Sequence, residues 1–147
     1  MKLHALQAVA AFALTTACCH LHAAECELAV LTPENAALNI DGVGTVSLGE
    51  ADDAARPKAW QGPVRVGACS LDIGLIEAPI IGTSGGPVYI TAYSGALRKV
   101  MLVDAAACKV VWRSAPFVGD VTVAPGRLKL GKTVVALDGR CLPKRRR

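Results

Sequence analysis

The sequence predicts an all-β fold, a small antiparallel β-sandwich or barrel built from hairpins and stapled by two disulfides. Three observations carry that reading. Short runs rich in Val, Ile and Leu are broken roughly every eight to twelve residues by Gly, Pro, Asp or Ser, the spacing of an antiparallel sandwich or barrel. Apolar residues at helical spacing are scarce. Once an N-terminal export signal is set aside, four cysteines remain, Cys26, Cys69, Cys108 and Cys141, and an even set in an exported chain argues for paired thiols.

Taken in order, residues 1–24 read as the export signal. Lys2 supplies a short basic start, an uncharged apolar run covers Ala5 to Ala17, and Ala23 and Ala24 precede Glu25, so cleavage is expected after Ala24. That run is too short to span a bilayer, and no later run approaches the length of about 18 apolar residues that would. Cys18 gives a competing reading as an acylated lipoprotein cysteine, weakened by Thr15 standing where leucine is usual. Cleavage leaves 123 residues, read as a single β domain over 25–143 followed by the basic tail 144–147.

Within that domain the expected strands are Val43 to Leu48, Val64 to Val66, Leu71 to Ile76, Val88 to Tyr93, Leu97 to Val103, Lys109 to Arg113, Val118 to Val123, Arg127 to Leu130 and Thr133 to Asp138. The segment Glu50 to Lys58, with Asp52, Asp53 and three alanines, is the one candidate for a short helix or a loop, ended by Pro57. The C-terminal half reads as a meander. Asp104 to Ala107 connects two strands, Pro125-Gly126 suits a type II turn, and Gly131-Lys132 turns the next pair. In Val88 to Tyr93, alternation sends Val88, Ile90 and Ala92 to one face and Tyr89, Thr91 and Tyr93 to the other. The same rule places Cys108, Val110 and Trp112 together, with the Cys108 disulfide beside the indole. Of the three pairings open to four cysteines, Cys26 with Cys69 and Cys108 with Cys141 is expected, because local staples suit a sheet built from chain neighbours. A zinc site is disfavoured: there is no C-x-x-C and no histidine beyond residue 22. No metal and no cofactor are implied.

Two short segments carry resemblances. Asp104-Ala-Ala-Ala-Cys108-Lys109-Val-Val-Trp112 resembles the strand-turn-strand of a quinoprotein-type propeller blade, where glycine is usual at the position of Cys108. It spans nine residues and occurs once, whereas a propeller repeats its blade, so it implies a hairpin. Gly82-Thr83-Ser84-Gly85-Gly86-Pro87-Val88 is similar to the nucleophile segment of chymotrypsin-like serine proteases. That resemblance implies Ser84 as nucleophile, with backbone N–H groups around it as oxyanion donors. The family's chemistry also needs a base, and His4, His20 and His22 all fall in the signal. Only 59 residues of the cleaved chain precede Ser84, too few for the upstream barrel that carries the family's histidine and aspartate. Lys99 and Lys109, the candidates for a Ser-Lys dyad, alternate onto polar faces.

Charge narrows the function further. The formal +4 comes from the end of the chain: Lys144, Arg145, Arg146 and Arg147 set against a body of 11 basic and 12 acidic residues. Such a body lacks the basic face of a nucleic-acid binder, and the tail offers at most salt-screened attraction to anionic surfaces. The expected function is therefore that of an exported, periplasmic or secreted, non-catalytic binding protein with a protein partner, such as an inhibitor or an immunity protein against an envelope-targeting enzyme or toxin. The contact surface is expected at Ser84, Gly85, Tyr89 and Tyr93, tyrosines beside a glycine-rich loop being compact interface anchors. A serine hydrolase centred on Ser84 and a structural part of an envelope assembly are the alternatives.

Overall fold

A computed structural model describes residues 26–84 and 86–145. The expected signal over 1–24, with Cys18 and the three histidines, lies outside the described residues, as do Gly85, Arg146 and Arg147. The described chain is all-β and antiparallel. Its strands are β1 (Leu28–Leu31), β2 (Ala37–Ile40), β3 (Gly44–Ser47), β4 (Glu50–Ala51), β5 (Ala59–Gln61), β6 (Val64–Val66), β7 (Cys69–Leu71), β8 (Leu75–Thr83), β9 (Val88–Ser94), β10 (Leu97–Asp104), β11 (Lys109–Arg113), β12 (Val121–Ala124), β13 (Arg127–Leu130) and β14 (Thr133–Ala136).

These strands form a seven-stranded sheet, β11-β10-β9-β8-β5-β4 with β1 added beside β8, a four-stranded sheet β2-β3-β6-β7, and a three-stranded sheet β12-β13-β14. The large sheet is the middle layer. On one side its Ile76, Ile80, Val88, Ile90, Met101 and Val103 pack with Leu38, Val46 and Val64 of the four-stranded sheet. On the other its Ile81, Tyr89, Val100 and Leu102 pack with Val121, Leu128 and Leu130 of the three-stranded sheet. Alternation along a strand explains this double covering: with both faces buried, neighbouring positions are all apolar, as in Val100-Met101-Leu102-Val103 and Val88-Tyr89-Ile90. The expected division of Val88, Ile90 and Ala92 from Tyr89 holds, and each set meets its own outer sheet.

Several expectations need correction. The disulfides are Cys26–Cys141 and Cys69–Cys108, not the pairing of chain neighbours. Layering is the reason. Cys69 opens β7 in the four-stranded sheet and Cys108 lies in the β10–β11 turn of the middle sheet, so one bridge ties those two layers together. Cys26 leads into β1 of the middle sheet and Cys141 follows the three-stranded sheet, so the other ties the middle sheet to the three-stranded one. Cys108, Val110 and Trp112 do not share a face. In the β10–β11 register Leu102 opposes Trp112 while Val103 opposes Val110, leaving Val111 as an extra bulged residue. The bulge reverses the side-chain parity, so Val110 packs on one side of the middle sheet and Trp112 on the other. Cys108 takes φ +49, the conformation that explains why glycine suits the equivalent turn position.

Glu50 to Lys58 forms no helix. After β4 the chain is held by carboxylates: Asp52 Oδ1 accepts from the N–H of Lys58 at 2.9 Å and of Ala59 at 3.1 Å, and Asp53 Oδ1 from Ala55 and Arg56 at 2.8 and 3.0 Å. Asp at these positions offers the backbone a turn in place of a helix. Leu71 to Ile76 is two strands, broken by Gly74 at φ +80, and β8 runs on to Thr83 through residues expected to be loop.

Candidate functional site

The Ser84 turn is built by its neighbours. Thr83 Oγ1 donates to Pro87 O at 2.8 Å, and the Gly86 N–H donates to Thr83 O at 3.2 Å, closing the β8–β9 connection. The Ser84 N–H donates to Glu27 O at 3.1 Å, while its Oγ accepts from the Glu27 N–H at 3.3 Å. Its Oγ also lies 3.6 Å from Cys141 Sγ. That sulfur is bonded to Cys26 and carries no proton, so the serine hydroxyl is the donor. Among the described residues no basic side chain hydrogen-bonds to this hydroxyl, and its contacts pin the turn to the Cys26–Cys141 bridge.

The loop after the three-stranded sheet holds that bridge from the other side. Asp138 Oδ1 accepts from the N–H groups of Arg140 and Leu142 at 2.9 and 3.0 Å, and the Asp138 N–H donates to Leu142 O at 2.9 Å. The Leu142 N–H, and after it that of Arg140, holds the Asp138 carboxyl below its ordinary range. The turn so made carries Cys141 at φ +61 and aims its carbonyl at the buried Tyr89 hydroxyl, which donates to it at 2.6 Å.

Tyr89 is therefore not a surface anchor. It is fully buried, stands edge-on to Trp112 at 6.2 Å between ring centroids, and belongs to the core against the three-stranded sheet. Tyr93 is half-buried and on the same face of β9, but four residues further along, about 13 Å at the rise of a strand. Ser84 and Tyr93 thus stand at opposite ends of the β8–β9 hairpin, and the structure does not bring the expected contact residues into one place. Gly85 lies outside the described residues.

What does converge near Ser84 is an open depression of about 900 Å³. It is lined by Leu28, Ala29 and Leu31 of β1 with Gly82 and Thr83, by Asn39, Ile40 and Asp41 at the end of β2, and by Val123, Ala124 and Pro125 at the β12–β13 turn. Both outer sheets therefore border it along with the first strand. The Ser84 N–H to Glu27 O bond fixes the phase of the β1–β8 ladder. In an antiparallel pair, opposite residues alternate between exchanging hydrogen bonds and pointing them away, so Ala29 and Leu31 bond to Gly82 and Ile80 while Leu28 and Val30 turn their N–H and C=O outward. Among the described residues no other strand pairs with that edge. Val30 is 57 % exposed.

Sequence reasoning missed β1. The signal was present in the apolar run Leu-Ala-Val-Leu between Glu27 and Thr32-Pro33, directly after the expected cleavage point. Elsewhere, no three His, Cys, Asp or Glu side chains among the described residues converge as metal ligands would. Arg98 forms an ion pair with Glu77 across β9, and Lys144 donates its N–H to Ala136 O, so the start of the basic tail is held at the end of β14. No helix among the described residues is long and apolar enough to cross a membrane. The two disulfides are compatible with a periplasmic or extracellular location. Comparison with protein-family models, curated proteins and solved structures finds no match.

Proposed function

We propose that the chain is exported to the periplasm or secreted, and acts there as a non-catalytic binding protein for another protein, as an inhibitor or an immunity protein against an envelope-targeting enzyme or toxin would. The observation that carries this reading is the depression at Ser84, walled by all three sheets and braced by a disulfide. A site held by cross-links loses little freedom when a partner docks, which favours affinity without chemistry. The serine is engaged in holding the Glu27 and Cys141 segments together, and that use of its hydroxyl supports a structural role for the turn.

The test is to purify the oxidised protein from its native envelope, identify what accompanies it, and repeat the capture with Ser84→Ala. The expected result is a stoichiometric protein partner retained by the variant. A serine-directed phosphonate that labels Ser84, with substrate turnover lost in Ser84→Ala, would establish the hydrolase instead.

A further inference from the structure

We infer that the depression takes an extended segment of the partner as an added strand on β1, and that this segment carries Lys or Arg beside its apolar residues; the inference rests on the binding reading above and specifies its mode. The edges of the middle sheet differ sharply. At the far edge, β11 is bulged at Val111 and carries Lys109 and Arg113, both devices that discourage pairing with another chain. The β4 edge is two residues long and includes Glu50. By contrast β1 is Leu-Ala-Val-Leu, with no charge, no proline and no bulge, and it presents the outward N–H and C=O of Leu28 and Val30. An undefended apolar edge of this kind pairs with whatever strand can reach it.

The walls decide what can reach it. Asn39 to Asp41 of one outer sheet and Val123 to Pro125 of the other line the same depression as Leu28, Ala29 and Leu31, and a single extended segment demands less clearance between them than the sheet edge of a second folded copy would. Four main-chain hydrogen bonds are on offer, two from Leu28 and two from Val30, along about 13 Å of strand. Charge supplies the selection. The lining includes the carboxylates of Glu27 and Asp41 and no Lys or Arg, and neither carboxylate has an ion-pair partner among the described residues. A cationic side chain on the added strand meets them.

The geometry offers a clean variant. Val30 turns its N–H away from β8, so Val30→Pro removes an outward donor and places a ring on the open edge while sparing the β1–β8 ladder. The probe is a capped peptide alternating Lys and Thr with Val, titrated into the oxidised chain and followed by amide exchange. Two control peptides replace each Lys by Glu, or methylate the backbone nitrogens on one edge. Expected are slowed exchange at the Leu28 and Val30 amides, a weakening of about tenfold or more with Val30→Pro at unchanged melting temperature, and a similar loss with either control peptide. Should Val30→Pro lower the melting temperature, the methylated peptide decides alone, since it leaves the protein intact. Equal binding of the methylated and plain peptides, or protection elsewhere than β1, overturns strand addition; equal binding of the Glu peptide overturns the cationic assignment. A native partner captured equally by wild type and Val30→Pro defeats this inference and leaves the binding reading standing, whereas no captured partner defeats that reading itself.

Discussion

The phenol of Tyr89 combines a burial cost with a structural return. Its ring fills the space between the middle sheet and the three-stranded sheet, and its hydroxyl satisfies the Cys141 carbonyl in a turn that has no regular strand partner there. Burial, with a smaller contribution from the Asp138 charge, pushes its pKa well above the ordinary 10.0. The sign of the linkage follows. Below about pH 10 the phenol is protonated in both states; above it the unfolded chain gives up the proton while the folded chain keeps it, so stability falls as pH rises. Tyr89→Phe is expected to cost about 1–3 kcal/mol near neutrality, because a buried carbonyl loses its donor. It is also expected to flatten the alkaline decline, read as the change in urea midpoint between about pH 9 and about pH 11. If wild type and variant decline in parallel, other groups govern the alkaline limb.

At the scale of elements, the crossings between sheets bring backbone against backbone. The segment from β3 to β4 leaves the four-stranded sheet for the middle sheet at Gly49, and the segment from β5 to β6 returns at Gly62, with the two glycines back to back. Gly49 has φ +91, and a Cβ there would stand 2.6 Å from the Gln61 carbonyl oxygen. Gly49→Ala therefore combines backbone strain with a clash against main chain that cannot rotate away, and should cost at least about 2 kcal/mol. Gly67 is the comparison: its φ is +55 in an open turn with nothing within 4 Å of the added carbon, so Gly67→Ala should cost only about 1 kcal/mol. Thermal denaturation of the two variants checks the order, and equal losses would show that the close approach at Gly49 is unimportant. The same elements show what a sequence discloses. Strands β9, β10, β13 and β14 were legible because apolar alternation or an unbroken apolar run announces them. β1 and β2 are four residues each and take their definition from partners distant in the chain, while Pro79 and Gly82 disguise the second half of β8 as loop. The bulge at Val111 leaves no compositional trace, so the alternation rule assigned Trp112 to the wrong neighbours.

For the molecule as a whole, what could not be read from the chain was which layers the disulfides join. Local pairing would have stapled hairpins; the observed pairing nests one closed loop, of separation 39, inside another of separation 115, and fastens the middle sheet to each outer sheet once. In the chain-entropy picture each closure is worth about 4–5 kcal/mol, a large share of the roughly 5–15 kcal/mol by which a domain is stable. The two bridges differ in access. Cys141 is fully buried and Cys26 nearly so, whereas Cys108 is exposed and Cys69 half-buried. Thiol–disulfide exchange requires a thiolate to reach a sulfur, so graded reductant should open Cys69–Cys108 first. Intact-mass measurement after thiol alkylation, with peptide mapping, should show an intermediate alkylated at Cys69 and Cys108 alone. That intermediate is expected to melt at lower temperature while keeping slow exchange at Ala29 and Leu31, because the bridge that holds β1, the Ser84 turn and the Cys141 loop together is still closed. Alkylation appearing first at Cys26 and Cys141 would mean that this end of the molecule opens before it unfolds, and the braced site would lose its physical basis.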